Sequence, residues 1–136
     1  MTATTPFAPN HEGLGPLASR YVEVEKLPWQ PTRFPGIEMK VLLKDEASGL
    51  LTALFRWAPG AKLPLHEHVE IEQSFVLEGS FRDEQGICRK GDYVWRPAGS
   101  RHEAWSEEGC VLLAFFLKPN RFLDGEAPAE RAETTS

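Results

Sequence analysis

Short runs of β-branched, aromatic and aliphatic residues, separated every few positions by Gly, Pro or Asp, recur through the middle of this 136-residue chain. Runs of this kind with turn residues between them are typical of β-strands. No window keeps apolar residues at helical spacing for three turns without a Gly or a Pro. The pattern predicts strands near Tyr21–Leu27, Ile37–Lys44, Leu50–Trp57, Leu63–His68, Ile71–Leu77, Ser80–Arg82, Gly86–Arg89, Tyr93–Arg96, His102–Ser106 and Val111–Leu117.

So many short strands in a chain of this length predict a single all-β domain, closed as a barrel or folded as a jelly roll. Residues 1–20 and 123–136 lack periodicity and are rich in small and polar residues. We therefore expect a flexible N-terminal arm over 1–20, a barrel over 21–122 and a disordered C-terminal tail over 123–136. The run 111–118, VLLAFFLK, is apolar on both faces, which indicates a strand covered on both sides.

Charge and composition exclude several classes of partner. The net charge is −5 and the basic residues are scattered, which argues against a nucleic-acid partner. No apolar run approaches the roughly 20 residues that span a bilayer, and the first residues lack the features of a signal peptide. We expect a cytoplasmic protein without a membrane partner, in which Cys88 and Cys110 are buried, unpaired thiols.

Histidine is rare in the chain, and its placement is informative. Of four histidines, His11 lies in the arm and the other three fall in two short segments. His66 and His68 are two positions apart, so both imidazoles leave the same face of one strand. Glu72 follows at an even offset after a tight connection, and His102 begins a strand after a Pro–Gly turn. These four residues are the candidate ligands of one metal ion.

The alternation of side chains along a strand does not decide which glutamate is the carboxylate ligand. Glu70 lies an even number of positions from the two histidines, as Glu72 does, whereas Glu67 points to the opposite face.

Several ionisable groups inside an apolar barrel are costly unless a cation compensates them. Three imidazoles and one carboxylate suit Fe(II), Mn(II), Ni(II) or Zn(II). They also leave up to two octahedral positions open for substrate or dioxygen.

The segment GAKLPLHEHVEIEQSFVLEG resembles the first conserved motif of the cupin superfamily. Gly60, His66, His68, Glu72 and Gly79 stand at the motif's fixed positions. The resemblance favours Glu72 over Glu70 as the carboxylate ligand, because only Glu72 has the family spacing.

The segment GDYVWRPAGSRHEAWS resembles the second cupin motif, with Gly91, Pro97, Gly99 and His102 at its fixed positions. Ser106 stands where that motif usually ends in Asn. The resemblance implies the cupin jelly-roll barrel, a double-stranded β-helix, with a divalent metal held by His66, His68, Glu72 and His102. It does not imply one reaction, since this fold carries many functions.

A narrower resemblance covers residues 35–117, including PGIEMKVLLKD, LTALFRWAPGAKLPLHEH and WSEEGCVLLAF. These segments are similar to the cupin-like domain of ChrR-type anti-sigma factors and to dihydroxyacetophenone and acetylacetone-cleaving dioxygenases. The ChrR-type factors carry a helical zinc-binding domain before the cupin domain, with a His and paired cysteines that this chain lacks. We therefore do not expect sigma-factor binding by that route.

Two functions follow from the resemblance. The first is a dioxygenase that cleaves a C–C bond in a small diketone or hydroxyketone, with Fe(II) as the first choice of metal and Zn(II), Mn(II) or Ni(II) as alternatives. The second is a non-catalytic metal-binding module, a zinc sensor or regulatory domain like the ChrR cupin domain, with the metal closed in by all four ligands. Related cupins commonly form homodimers, so a homodimer that binds a small molecule is expected.

Several large side chains near the motifs remain open to two interpretations. Trp57, Trp95 and Trp105 are expected to pack in the barrel, with contact to an apolar substrate as the alternative. Arg56, Arg96 and Arg101 are expected to face solvent, although one directed inward could hold a substrate carboxylate or enolate. The alternation of side chains along the strands does not decide which arginine that would be.

Overall fold

The computed structural model describes residues 3–123, which contain β-strands and one short 3-10 turn at Val24–Lys26 but no α-helix. The strands are β1 Ala3–Thr4, β2 Gln30–Pro31, β3 Ile37–Asp45, β4 Leu51–Trp57, β5 Lys62–Glu67, β6 Glu72–Arg82, β7 Ile87–Arg89, β8 Tyr93–Arg96, β9 Arg101–Trp105, β10 Cys110–Phe116 and β11 Arg121–Phe122. The all-β prediction is confirmed.

The long strand β6 joins two antiparallel sheets. Its first part pairs with β10 on one side and β8 on the other, whereas its last residues pair with β7 and β9. The first sheet continues from β10 through β4 to β3, and the second continues from β9 through β5 to β11. Side chains of both sheets line one interior cavity, so the sheets face each other. This is the double-stranded β-helix that the sequence predicted.

The core lies between the sheets and follows the alternation of each strand. Every second residue of β4 is buried, from Leu51 to Trp57, and β10 alternates in the same way. Burial of this apolar surface, at about 25 cal/mol per Å², supplies the main driving force for folding. The expectation that β10 is covered on both faces is wrong, because Phe115 and the following Leu117 are 41% and 50% exposed on its outer side.

Two strand predictions are corrected by the structure. Residues 21–27 form no strand, because the chain makes a 3-10 turn at Val24–Lys26, where the Val24 carbonyl accepts from Nζ of Lys40; Tyr21 is 77% exposed. The predicted strands 71–77 and 80–82 form one continuous strand, β6, which bends at Gly79 instead of ending there.

The described part of the arm contacts the barrel. Strand β1 pairs with the end of β3, and the Thr5 hydroxyl donates a hydrogen bond to the Leu42 carbonyl at 2.7 Å. The C-terminal tail expected over 123–136 lies outside the described residues except for Leu123, whose amide donates to the Leu65 carbonyl. The domain boundaries at residues 20 and 122 remain predictions.

The two cysteines are free and buried, as the sequence predicted. Burial raises the pKa of the Cys110 thiol to about 12 and also raises that of Cys88. Both therefore remain protonated and unreactive at neutral pH.

Between residues 3 and 123, no helix is long and apolar enough to cross a membrane.

Gly79 allows β6 to pass from one sheet to the other. Its φ is +69°, in the left-handed region, and a Cβ there would collide with the Gly109 carbonyl oxygen. A bulge in β10 between Val111 and Leu112 lies beside this bend. Only glycine satisfies both the conformation and the close approach.

We predict that Gly79→Ala lowers the free energy of unfolding by at least about 3 kcal/mol, because both strain and collision must be relieved. Gly91→Ala is the matched control, since Gly91 has φ +87° but open space around it. That variant should lose only about 1–2 kcal/mol. Urea unfolding measures both. Equal losses would show that the close approach to Gly109 does not matter.

Candidate metal centre

The pairing of β5 with β9 brings the two histidine segments together. His66 and His102 are direct cross-strand partners, and their ring centroids lie 4.6 Å apart. His68 follows β5 immediately, where its amide donates to the Ser100 carbonyl and its own carbonyl accepts from Gly99. Partners directly opposite on antiparallel strands have neighbouring side chains, so the register itself assembles the cluster.

The three histidines form a compact buried cluster. His66, His68 and His102 are 1%, 0% and 6% exposed. One ring nitrogen from each lies within 4.8 Å of the other two, which makes the cluster able to bind a metal ion. Nε2 of His68 and Nε2 of His102 lie 2.8 Å apart.

Hydrogen bonds on the far side of two rings determine their tautomers. Nδ1 of His66 lies 2.7 Å from the Pro64 carbonyl oxygen, and Nδ1 of His102 lies 3.1 Å from Oδ2 of Asp83. A carbonyl oxygen or a carboxylate only accepts hydrogen bonds, so each Nδ1 carries the proton. The Nε2 of each ring therefore presents a lone pair to the centre.

Both ring nitrogens of His68 face acceptor atoms. Its Nε2 faces the Nε2 lone pair of His102, and its Nδ1 lies 2.9 Å from Oε1 of Glu72 without the geometry of a hydrogen bond. A neutral His68 has one proton, so whichever nitrogen carries it, the other presents a lone pair to an acceptor. Either a second proton or a metal ion shared by the Nε2 atoms removes this repulsion.

The spacing of the nitrogens fits a metal ion. Two ligands at the usual metal–nitrogen distance of about 2.1 Å and at right angles are about 3 Å apart. The observed 2.8 Å between the His68 and His102 nitrogens is close to that value. Neutral imidazoles of this kind suit zinc, iron, nickel and copper.

The pKa values keep two of the rings neutral. Burial, reinforced by the neighbouring His102, lowers the pKa of His66 to about 3. Burial, together with the positive charge of Arg96, lowers the pKa of His102 to about 4. At neutral pH both rings are therefore unprotonated at Nε2 and available as ligands.

Glu72 lines the same cavity as His66 and His102, but its carboxylate oxygen lies against Nδ1 of His68 and is not part of the three-histidine cluster. The Ser74 hydroxyl donates to its other oxygen at 3.1 Å. Burial alone would raise the pKa of Glu72, but the contact with His68 and the charge of Arg96 lower it below its ordinary value. Glu72 is therefore ionised. Glu70 is half-buried and does not line the cavity.

The cavity beside the cluster is small and mostly apolar. The space open to the centre of a water molecule is about 30 Å³, so a ligand larger than water enters only if lining side chains move. The polar residues of its lining are His66, Glu72, Arg96 and His102, and the apolar ones are Ile37, Phe55, Trp57, Leu63, Phe81, Ala104, Leu112, Ala114 and Phe116. Polar groups that converge in an apolar cavity are the usual form of a small-molecule site.

The structure decides between the interpretations of the large side chains. Of the tryptophans, Trp57 lines the cavity, Trp95 is 54% exposed, and Trp105 is half-buried. Of the arginines, Arg56 pairs with Glu38 and Arg101 with Glu67, both at the surface, whereas Arg96 lines the cavity. His11 lies outside the cluster, with Nε2 at 3.0 Å from the Tyr21 carbonyl.

Sequence reasoning missed Asp83, which is 3% exposed and contacts both His102 and Arg96. Its Oδ1 accepts the backbone amides of Gln85 and Gly86, so it closes a turn of its own. Burial alone would raise the pKa of Asp83, but these amides and Arg96 lower it. The D-x-x-G pattern at 83–86 predicts such a turn but gives no hint of the histidine.

The ChrR Cupin-like domain family model matches residues 17–119, about three quarters of the chain. The anti-sigma-E factor ChrR of Cereibacter sphaeroides is 31% identical over 102 residues, which cover 73% of this chain and 46% of that protein. The chain therefore spans about half the length of this curated relative.

Two solved structures have the same fold. A protein of Methylibium petroleiphilum, provisionally assigned as an acetylacetone dioxygenase, superposes with a TM-score of 0.74 at 23% identity, over 85% of this chain and 88% of that one. An acetylacetone dioxygenase of Acinetobacter johnsonii superposes with a TM-score of 0.70 at 19% identity, over 88% and 84%. With the family match and the histidine cluster, these likenesses lead to one conclusion: the chain belongs to the ChrR cupin-like domain family of cupins.

Proposed function

We propose that the protein is a metal-dependent dioxygenase that cleaves a C–C bond in a small diketone or hydroxyketone. The observation that carries this proposal is the convergence of ring nitrogens of His66, His68 and His102, with His66 and His102 lining a small, mostly apolar cavity. The acetylacetone dioxygenase of Acinetobacter johnsonii and the Methylibium petroleiphilum protein provisionally assigned as one, which share this fold, support the choice of reaction.

In this proposal His66, His68 and His102 hold one divalent ion, with Glu72 as the fourth ligand. Glu72 reaches that role by turning its carboxylate from Nδ1 of His68 toward the cavity that it already lines. Fe(II) is the first choice of metal, and Zn(II), Mn(II) and Ni(II) are the alternatives. When bound, the ion supplies Lewis acidity and a site for dioxygen chemistry.

The remaining residues of the cavity bind and enclose the substrate. Its apolar wall, including Phe81 and Phe116, excludes water from the reacting atoms. The reaction balances without a further reductant: one 1,3-diketone and one dioxygen give a carboxylic acid and a 1,2-dicarbonyl compound. One C–C bond breaks, and each product gains one oxygen atom.

A second candidate is a non-catalytic zinc module with a sensory or regulatory role. The 31% identity to an anti-sigma factor favours it. In that case all four ligands would close the zinc site, because structural zinc is four-coordinate whereas a catalytic metal keeps a position open. Coordination number and oxygen consumption therefore separate the two functions.

We also propose that two copies pair through the outer face of the first sheet. Its exposed apolar side chains lie on neighbouring strands and are Phe75, Leu77, Tyr93, Trp95, Phe115 and Leu117. Together they expose roughly 600 Å² per copy, so two copies would bury about the 1,200 Å² at which stable interfaces begin. The partner surface in this dimer is the same apolar face of a second copy, so the two surfaces have the same area and the same apolar character.

Two further proposals concern the whole chain. We propose a cytoplasmic location, which the free, buried cysteines support, since reducing compartments keep thiols unpaired. We also propose that the barrel over residues 21–122 is the folded unit, with an arm before it and a tail after it.

Oxygen uptake tests the proposed reaction. We expect the protein reconstituted with Fe(II) to consume one dioxygen for each acetylacetone, or for each member of a panel of small hydroxyketones that it accepts, and to release a carboxylic acid. The same protein loaded with Zn(II) is the control and should consume none. A metal-loaded protein that consumes no dioxygen with any of these compounds would contradict the proposal and favour the zinc module.

Metal analysis of three variants tests the ligands. His102→Ala and Glu72→Gln should each weaken metal binding by at least about 10-fold, through loss of an imidazole and of a negative charge. Glu70→Gln is the matched control and should keep the metal, because Glu70 does not line the cavity. If Glu70→Gln loses the metal while Glu72→Gln retains it, the carboxylate ligand is Glu70.

The buried histidines predict a pH dependence in the metal-free protein. Their folded-state pKa values, about 3 for His66 and about 4 for His102, lie below the unfolded value of 6.5. The unfolded chain therefore takes up protons first, and stability is lost as the pH falls from 6.5 toward 4. From pH 7 to pH 5 each histidine should remove about 2 kcal/mol.

Urea unfolding at pH 7 and pH 5 measures this loss. His102→Asn should remove about half of it, and His11→Asn, in the arm, should leave it unchanged. A free energy of unfolding that does not change between the two pH values would mean that the cluster accepts protons without cost.

A further inference from the structure

Arg96 is the cationic side chain of the cavity lining. It lies at the end of β8, directly opposite Glu72 of β6, and its side chain is 13% exposed. Nη1 donates to Oδ2 of Asp83 at 2.5 Å, and the guanidinium carbon lies 5.8 Å from the Phe81 ring centroid. The guanidinium is therefore held between the interior cavity and the turn that carries Asp83.

Most of the hydrogen-bonding capacity of Arg96 is unused. A guanidinium has five N–H donors in a fixed fork. Within residues 3–123, Asp83 is the acceptor that Arg96 reaches, and none of its nitrogens is sealed from solvent without a partner. The remaining donors are therefore accessible to solvent or to a ligand, and Arg96 lines the interior cavity as well as two pockets beside Asp83.

Among the residues that line this cavity, Arg96 is the cation, and the other polar members are His66, Glu72 and His102. A guanidinium is a planar donor group that pairs with carboxylate-like oxygens through charge-assisted hydrogen bonds. In a mostly apolar enclosure such a group favours a ligand that carries a negative charge.

We infer that Arg96, held in position by Asp83, binds an oxygen of a small anionic substrate, an enolate or carboxylate with an apolar body. The inference rests on the proposed metal centre and deepens it, because it names the charge of the substrate and the residue that selects it. The ion would bind one oxygen of the anion and Arg96 another. The narrow apolar wall limits the rest of the molecule to a short hydrocarbon chain.

Calorimetric titration of the Zn(II)-loaded protein tests binding without turnover. The probes are acetylacetone, which binds as its enolate, and pentan-2-one, an uncharged ketone of the same carbon number. Arg96→Gln should keep one zinc and bind acetylacetone roughly 10 to 100-fold more weakly, which is the usual effect of losing a charge-assisted hydrogen bond. Binding of pentan-2-one, where it is measurable, should change less than about twofold.

Arg101→Gln is the matched control, since Arg101 pairs with Glu67 at the surface. Its affinity for acetylacetone should equal that of the parent. Unchanged affinity in a zinc-loaded Arg96→Gln protein overturns the inference, and so does an equal loss for both ketones.

A second measurement covers the case in which Arg96→Gln loses its zinc. In the parent protein, the side-chain N–H resonances of Arg96, assigned by their disappearance in Arg96→Lys, should shift when acetylacetone binds, while those of Arg101 should not. Unshifted Arg96 resonances with acetylacetone bound overturn the inference. Failure of the dioxygenase proposal is distinguishable, because it is absence of oxygen uptake with Fe(II), whereas both tests here use Zn(II).

Discussion

The 2.8 Å approach of Nε2 of His68 to Nε2 of His102, inside an apolar barrel, is the contact on which the rest of the centre depends. Asp83 keeps the proton of His102 on Nδ1, so the approaching nitrogen carries a lone pair. If Nε2 of His68 carries its proton, this contact is a hydrogen bond and the Nδ1 lone pair faces Glu72; if Nδ1 carries it, two lone pairs meet. A metal ion bound by both Nε2 atoms removes either conflict. Asp83 holds the ring of His102 in place. The register of β5 with β9 sets His66 directly opposite His102, and both line the cavity.

The parts of the centre that the sequence predicts are those set by local geometry. His66 and His68 share a face because side chains alternate along an extended strand, and the spacing to Gly79 and His102 is a property of the family motifs. The three histidines meet as expected. Their convergence needs only strand parity and one antiparallel pairing, both of which are visible in the residues.

The parts that the sequence does not predict depend on long-range competition. Residues 21–27 have strand-like residues, but the chain turns at Val24–Lys26, and β1 and β2 pair with β3 in place of this segment. Arg96 faces inward because β8 pairs with the first half of β6, and Asp83 reaches His102 because β6 bends at Gly79. No local pattern encodes either arrangement. The outer face of β10 is apolar in sequence but exposed in the structure, so hydrophobicity alone did not reveal which faces the fold covers.

We propose that the three imidazole nitrogens hold one metal ion. A crystal structure of the purified protein, with anomalous data collected at the absorption edge of the metal found by elemental analysis, would locate that ion. We expect one anomalous peak about 2.0–2.2 Å from Nε2 of His66, His68 and His102. A cluster without a peak, in which His68 and His102 share a proton instead, would contradict it.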